Sequence, residues 1–291
     1  MKKNKNDLII GSQFGGLGDH LFLSPIPRLY KLKYPKSKVF LSYQSKFRSW
    51  EIYKLIWADN PYLDGLLDCE IDERITNINI DSENLNMLEI FLKSLSLDIP
   101  EKTIVPEIYN HFLLKPIFKN NNKYELIDMN YISFIGSIRK KDIRNILKTN
   151  INDKSIIVNP QDWILKEFPT LRVIRTKSLY HYASLINYAN KFIVLPSGGS
   201  HLALALNIEA TVYFGYRFNK IFLNERNYNK MISKRNLLNL LISEYLQQKN
   251  LLRYDQNNRY IKEPNKIEIL FRIIMKIIKN CFIKIKNIIS L

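Results

Sequence analysis

The chain is poor in the residues that make most site chemistries. Among 291 residues there are 2 cysteines, Cys69 and Cys281, and only 4 histidines. The cysteines lie far apart, no C-x-x-C occurs, and no His/Cys cluster has zinc spacing, so a disulfide scaffold and a structural zinc site are both excluded. A reducing cytoplasm is the simple reading of that usage. No run approaches about 18 uninterrupted apolar residues, so no spanning helix is expected, and the lysines at positions 2, 3 and 5 precede too brief an apolar run for a signal peptide. Glycine is scarce, with 9 residues, yet five of them fall into two short loops, 15–18 and 198–199. Acidic groups are outnumbered, 27 to 44, which leaves a net charge of +17. Part of that excess reflects a Lys/Ile/Asn-rich composition; the rest calls for an anionic partner such as phosphates, nucleic acid or an acidic membrane surface. Nucleic acid is disfavoured because the aromatics are scattered and no RNP, KH or helix-turn-helix pattern occurs.

Hydrophobic content of 46% supports real cores and about two domains. The first glycine loop, Gly15-Gly16-Leu17-Gly18-Asp19-His20, follows the apolar run Leu8-Ile9-Ile10 and precedes a helical pattern through Leu21, Leu23, Ile26, Leu29 and Leu32. Strand, glycine turn and helix start make the geometry of a ligand loop in an α/β fold. The loop has neither G-x-G-x-x-G spacing nor a P-loop lysine, so dinucleotide and Walker-type binding are not implied. Asp19 is either a cap of the following helix or a carboxylate facing a cleft.

The device recurs. Residues 178–189 read as an amphipathic helix, Phe192-Ile193-Val194-Leu195 as a buried strand, Pro196-Ser197-Gly198-Gly199-Ser200-His201 as a glycine loop opening a small-residue helix, and 210–215 as another strand. Strands are also expected at 38–43, 65–68, 155–160, 171–174 and, less cleanly, 131–134, with helices at 50–58, 84–97, 140–148 and 231–246. The tail, 266–291, repeats apolar residues at helical spacing between Arg272, Lys276, Lys279, Lys284 and Lys286. Such a basic amphipathic helix suits an anionic membrane surface; packing on the rest of the chain or on a second subunit is the alternative.

Four segments in order resemble glycosyltransferase family 9, the ADP-heptose:lipopolysaccharide heptosyltransferases and their relatives. They are Gly18-Asp19, Leu21 and Pro25; Lys166-Glu167-Phe168-Pro169; the helix 178–189; and Ser197-Gly198 with His201, Leu202, Ala203, Ala205 and Leu206. The resemblance implies a GT-B architecture: two Rossmann-like α/β domains facing across a cleft, 1–150 on the acceptor side and 151–250 on the nucleotide-sugar side, the second shortened after Pro169, with 264–291 as the amphipathic tail. It implies an inverting, metal-independent transfer without a cofactor, from a nucleotide-sugar donor to a lipopolysaccharide- or capsule-type surface glycan. Asp19 would be the base and Lys166 a diphosphate contact, unless it is a solvated lysine. Gly15, Gly16, Gly18, Ser197, Gly198, Gly199 and Ser200 would approach the substrates through their backbone, and His201 would donate to phosphate or serve only the core. Arg175 and Lys177 are weaker donor contacts. The family's acid before the second glycine loop is Pro196 here, so a non-catalytic relative that binds glycan or a partner enzyme is the rival reading. The expected place is the cytoplasmic face of the membrane, held by the tail.

Overall fold

A computed structural model describes residues 7–78, 85–98, 104–118, 124–131, 138–215, 219–224 and 226–231. The expected helix at 84–97, the strand at 131–134 and the helix at 231–246 fall partly or mostly outside these residues, and the tail lies wholly outside them.

The first half alternates strands and helices: β1 (Leu8–Ile10), α1 (Leu17–Leu23), α2 (Ile26–Lys33), β2 (Val39–Ser42), α3 (Trp50–Ile56), β3 (Gly65–Leu67), α4 (Glu73–Thr76) and α5 (Met87–Ser94). Its strands form a parallel sheet in the order β1-β2-β3. The long helical period after the first glycine loop is two helices, because Pro25 has no N–H with which to continue the ladder of α1. Ser49 caps α3 through its hydroxyl, which accepts from Glu51 N. Asn86 and Glu89 form a reciprocal capping box on α5.

The second half is β4 (Glu125–Asp128), α6 (Lys140–Asn150), β5 (Ser155–Val158), α7 (Asp162–Glu167), β6 (Arg172–Ile174), α8 (Leu179–Asn187), β7 (Lys191–Val194), α9 (Gly198–Ala205), β8 (Ala210–Phe214) and β9 (Tyr228–Met231). All six strands are parallel, in the order β6-β5-β4-β7-β8-β9. Numbered within this sheet, the order is 3-2-1-4-5-6, the doubly wound dinucleotide-fold order, whose switch point lies between β4 and β7.

This order moves the expected boundary. β4 and α6 precede residue 150, yet β4 is the central strand of the second sheet and pairs with both β5 and β7. α6, expected at the end of the first domain, packs Ile143, Ile146 and Leu147 onto that sheet. The segment expected to be missing after Pro169 is therefore supplied upstream: the second sheet starts one strand and one helix earlier than residue 151. Its brevity lies in the connection from β6 to α8. Met231, expected to begin a helix, ends β9.

Strand side chains alternate between two cores, as a period of two requires. Ile127, Ile157, Ile193 and Leu195 face α6. Leu126, Ile156, Val158, Phe192, Val194 and Val212 face the first half and share one buried cluster with Leu8, Ile10, Leu21, Leu41 and Leu55. The two halves are thus joined through apolar packing. The segment 104–118 crosses between them: Glu107 accepts from Arg28 in a 2.6 Å ion pair, and Lys115 N donates to Ser184 on α8.

Candidate functional site

The two glycine loops meet. A β-carbon built on Gly198 would lie 2.8 Å from Leu17 Cβ and 2.9 Å from Gly18 N; one built on Gly18 would lie 3.4 Å from His201 Cδ2 and 3.5 Å from Gly198 Cα. The starts of α1 and α9 therefore pack against each other, and the close approach that these glycines permit is made by the other helix. Where the sequence suggested an open cleft, backbone meets backbone at this point.

The other glycines have separate reasons. Gly15 holds φ +74° beside the Lys46 carbonyl, a conformation and a space that exclude a side chain. Gly16 leaves room for the Asp19 carboxylate, whose Oδ2 would lie 2.7 Å from a β-carbon there. Gly199 lies under the Tyr182 hydroxyl.

Asp19 is at the third position of α1, and its Oδ2 accepts from Gly16 N at 2.9 Å. It is a helix cap and still an ionisable group of interest. Burial pushes its pKa above the usual carboxylate value, against the Gly16 N–H and the Arg48 guanidinium, which pull it down. Arg48 was not singled out in the sequence. It follows β2, and Gly15 O accepts from its N–H at 2.9 Å, which sets its side chain near Asp19.

His20, one residue on, is fully buried and structural. Its Nδ1 accepts from Trp57 Nε1 at 3.0 Å, which leaves Nε2 to donate to Lys46 O at 2.8 Å, and burial lowers its pKa to about 4. His201 lies on α9 against the Phe22 ring at 4.3 Å; burial lowers its pKa to about 4, and its Nδ1 has no hydrogen-bond partner among the described residues.

At the start of α9, Ser197 Oγ accepts from Gly199 N at 3.2 Å, while Ser197 O accepts from both the N–H and the hydroxyl of Ser200. Both serine hydroxyls are thus engaged in the cap, and so are two of the amides that were expected to meet phosphate.

A buried polar centre sits at the switch point and was missed in the sequence. Asp128 ends β4; its Oδ1 accepts from Asn130 N and Nδ2, and its Oδ2 accepts from Tyr182 Oη at 2.6 Å. Asn130 Nδ2 also donates to Asn159 O at 3.0 Å. Asn159, at φ +47°, accepts from Thr176 N and donates to Thr176 Oγ1. These bonds tie the carboxyl ends of β4, β5 and β6 together. Burial raises the Asp128 pKa and pushes that of Tyr182 well above its usual value.

Lys166 is not brought to this place. α7 begins at the carboxyl edge of the sheet, where Asp162 pairs with Arg175 at 3.6 Å, and runs back so that its last turn, with Lys166, points to the opposite edge. Lys166 is exposed, and its neighbour Glu167 pairs with Arg144 of α6. Arg175 is at the carboxyl edge, and Lys177 N donates to His181 Nδ1 in the turn before α8. Among the described residues no group of three His, Cys, Asp or Glu side chains could hold a metal ion, and no helix is long and apolar enough to cross a membrane.

No protein-family model matches the chain, and no curated protein matches it in sequence. Solved structures do match. A family 9 glycosyl transferase from Veillonella parvula aligns with a TM-score of 0.55 at 11% identity, over 91% of this chain and 93% of its own. The iron-containing dodecameric glycosyltransferase TibC of enterotoxigenic E. coli aligns at 0.55 and 16% identity, over 81% of this chain and 65% of its own. The E. coli ADP-heptose lipopolysaccharide heptosyltransferase II aligns at 0.53 and 13%, over 84% and 98%. With its two parallel sheets of Rossmann-like build, the chain has the fold of the family 9 glycosyltransferases.

Proposed function

We propose that the protein is a glycosyltransferase that moves a sugar of the heptose class from a nucleotide-diphosphate donor to a hydroxyl of a surface-glycan acceptor, with inversion. The observation that carries this reading is Asp19: a carboxylate with a raised pKa beside Arg48, on the helix that meets the opening of α9. The neighbours in fold include a heptosyltransferase that uses ADP-heptose, which favours that donor. In the reaction, Asp19 takes the proton from the acceptor hydroxyl as its oxygen bonds to the anomeric carbon. The bond from that carbon to the diphosphate breaks, and the diphosphate leaves with the electron pair. Arg48 offsets the developing negative charge. Asp19 Oδ1 has no hydrogen bond among the described residues and is the oxygen available for the proton, while Gly16 N–H holds Oδ2. The switch-point centre of Asp128, Asn130 and Tyr182 fixes the strand ends against which the donor lies. The transfer needs no metal in this scheme. The charge of +17 and the spacing of basic residues in 266–291 support a place at an anionic membrane surface.

The test is release of ADP from ADP-heptose in the presence of a core-oligosaccharide acceptor, beside thermal shifts with ADP-, GDP-, UDP-, CMP- and dTDP-linked ligands. Asp19→Asn is expected to retain the nucleotide shift and to lower turnover about 100-fold or more. Unchanged turnover in Asp19→Asn would remove the proposed base. A shift with no nucleotide would favour the rival reading of a relative that binds without transfer, which the internally engaged amides of α9 also suit.

A further inference from the structure

We propose that Trp50, Tyr53 and Tyr43 form a shelf on which a sugar ring of the acceptor stacks, a subsite that rests on the glycosyl-transfer reading above. Trp50 opens α3 and lies parallel to Tyr53 at 4.2 Å and 19°, yet is 55% exposed. Tyr43, just after β2, is 64% exposed and lies near Tyr53, whose pKa is raised by burial first and by Tyr43 next. Large flat side chains left open to water in a group are costly unless something covers them.

The shelf is held from beneath. Phe47 meets Trp50 and Tyr53 edge-on, each at 5.9 Å, and itself lies parallel to the His20 ring at 4.3 Å and 8°. His20 is fixed in turn by Trp57 and the Lys46 carbonyl. Glu51, next to Trp50, accepts from Leu179 N at 2.7 Å, so the start of α3 is also fixed to the second half. Such preorganisation lowers the ordering cost of binding.

Its position connects it to the proposed chemistry. Phe47 and Trp50 flank Arg48, whose side chain neighbours Asp19. An aromatic face offers electron density to the C–H face of a sugar, while neighbouring polar groups take its hydroxyls. The shelf belongs to the sheet that carries Asp19, opposite the doubly wound sheet whose switch point suits a nucleotide. That placement assigns it to the acceptor rather than to the donor base.

The experiment presents the full-length protein to an array of lipopolysaccharide-core and capsular oligosaccharides. The best binder is then titrated against wild type, Trp50→Ala, Trp50→Phe and Tyr53→Ala, with ADP titrated in parallel and far-UV circular dichroism confirming the fold. The expected result is that an oligosaccharide binds wild type, that Trp50→Ala weakens it about tenfold, that Trp50→Phe keeps most of the affinity, and that ADP binds all four alike. Equal oligosaccharide binding by wild type and Trp50→Ala overturns the shelf. Weakened ADP binding in Trp50→Ala overturns it in favour of a nucleobase at that place. If wild type binds ADP and no oligosaccharide, the shelf is overturned and the transferase reading stands; if it binds neither, both fall.

Discussion

Gly199→Ala tests the buried centre most sharply, because its effect depends on one distant hydroxyl. A methyl group at 199 would fall on Tyr182 Oη, with Tyr182 Cζ at 3.2 Å. The tyrosine must tilt away, and buried Asp128 then loses one of its three donors. A hydrogen bond to a charged group contributes about 1.5–3 kcal/mol, and its buried acceptor is left exposed to the full desolvation cost. Replacing a helical glycine by alanine returns about 0.5–1 kcal/mol of backbone entropy. The net expected loss is about 1–2 kcal/mol. Tyr182→Phe removes the same donor with nothing displaced and should cost about 1.5–3 kcal/mol. In the double variant the methyl group meets only a ring carbon, and no hydrogen bond remains to be lost. Gly199→Ala should then be near neutral, so the two changes couple by about 1–2 kcal/mol. Urea unfolding followed by far-UV circular dichroism gives the four stabilities. Additive costs would refute the argument, since they would mean that Gly199 is not required by Tyr182.

Three further outcomes are expected. Gly16→Ala should displace the Asp19 carboxylate and lower turnover at least tenfold while unfolding free energy falls by only about 1 kcal/mol, read by ADP release and urea melts. Stability should decline as pH falls from 6.5 toward about 4, because folded His20 and His201 titrate near 4 and are neutral above it, whereas the unfolded chain takes up protons near 6.5; the slope approaches about 1.4 kcal/mol per pH unit for each histidine, and His20→Gln should show a shallower one in urea midpoints taken across that range. Lys166→Ala should leave the thermal shift with ADP within error of wild type, because Lys166 is exposed in the last turn of α7, away from the strand ends proposed to face the donor.

The legible parts of this fold are those whose signal is local. The apolar runs at β1, β5 and β7 lie where the sequence suggests, because burial on both faces leaves marks within a few residues. β4 left no such mark: Glu-Leu-Ile-Asp puts two acids around two apolar residues, although it is the central strand. Missing it shifted the expected start of the second half. The partnerships of Asp128 with Tyr182 and of His20 with Trp57 join residues far apart in the chain, and no spacing announces them. Arg48, in the turn after β2, and Trp50, at the start of α3, matter through what the fold sets beside them.

The glycine pair at the helix starts links packing to the acid–base chemistry of Asp19. Burial is the largest cause of its raised pKa, and Asp19 is adjacent to Gly18, the residue against which Gly198 packs. The two glycines are not equivalent. A methyl group on Gly18 would find ordinary contacts at 3.4 and 3.5 Å, so Gly18→Ala fits the packed helices. One on Gly198 would meet Leu17 Cβ and Gly18 N at 2.8 and 2.9 Å, which backbone cannot yield without moving α9 from α1. Gly198→Ala should therefore let water reach Asp19 and lower its pKa toward 3.8, because less desolvation favours the charged form. With Asp19 as the base, turnover rises with pH as the carboxyl ionises, so the acid limb of the pH–rate profile should move to lower pH in Gly198→Ala and stay in place in Gly18→Ala. An unmoved limb in Gly198→Ala would mean that the packing of α1 on α9 does not set the proton affinity of Asp19.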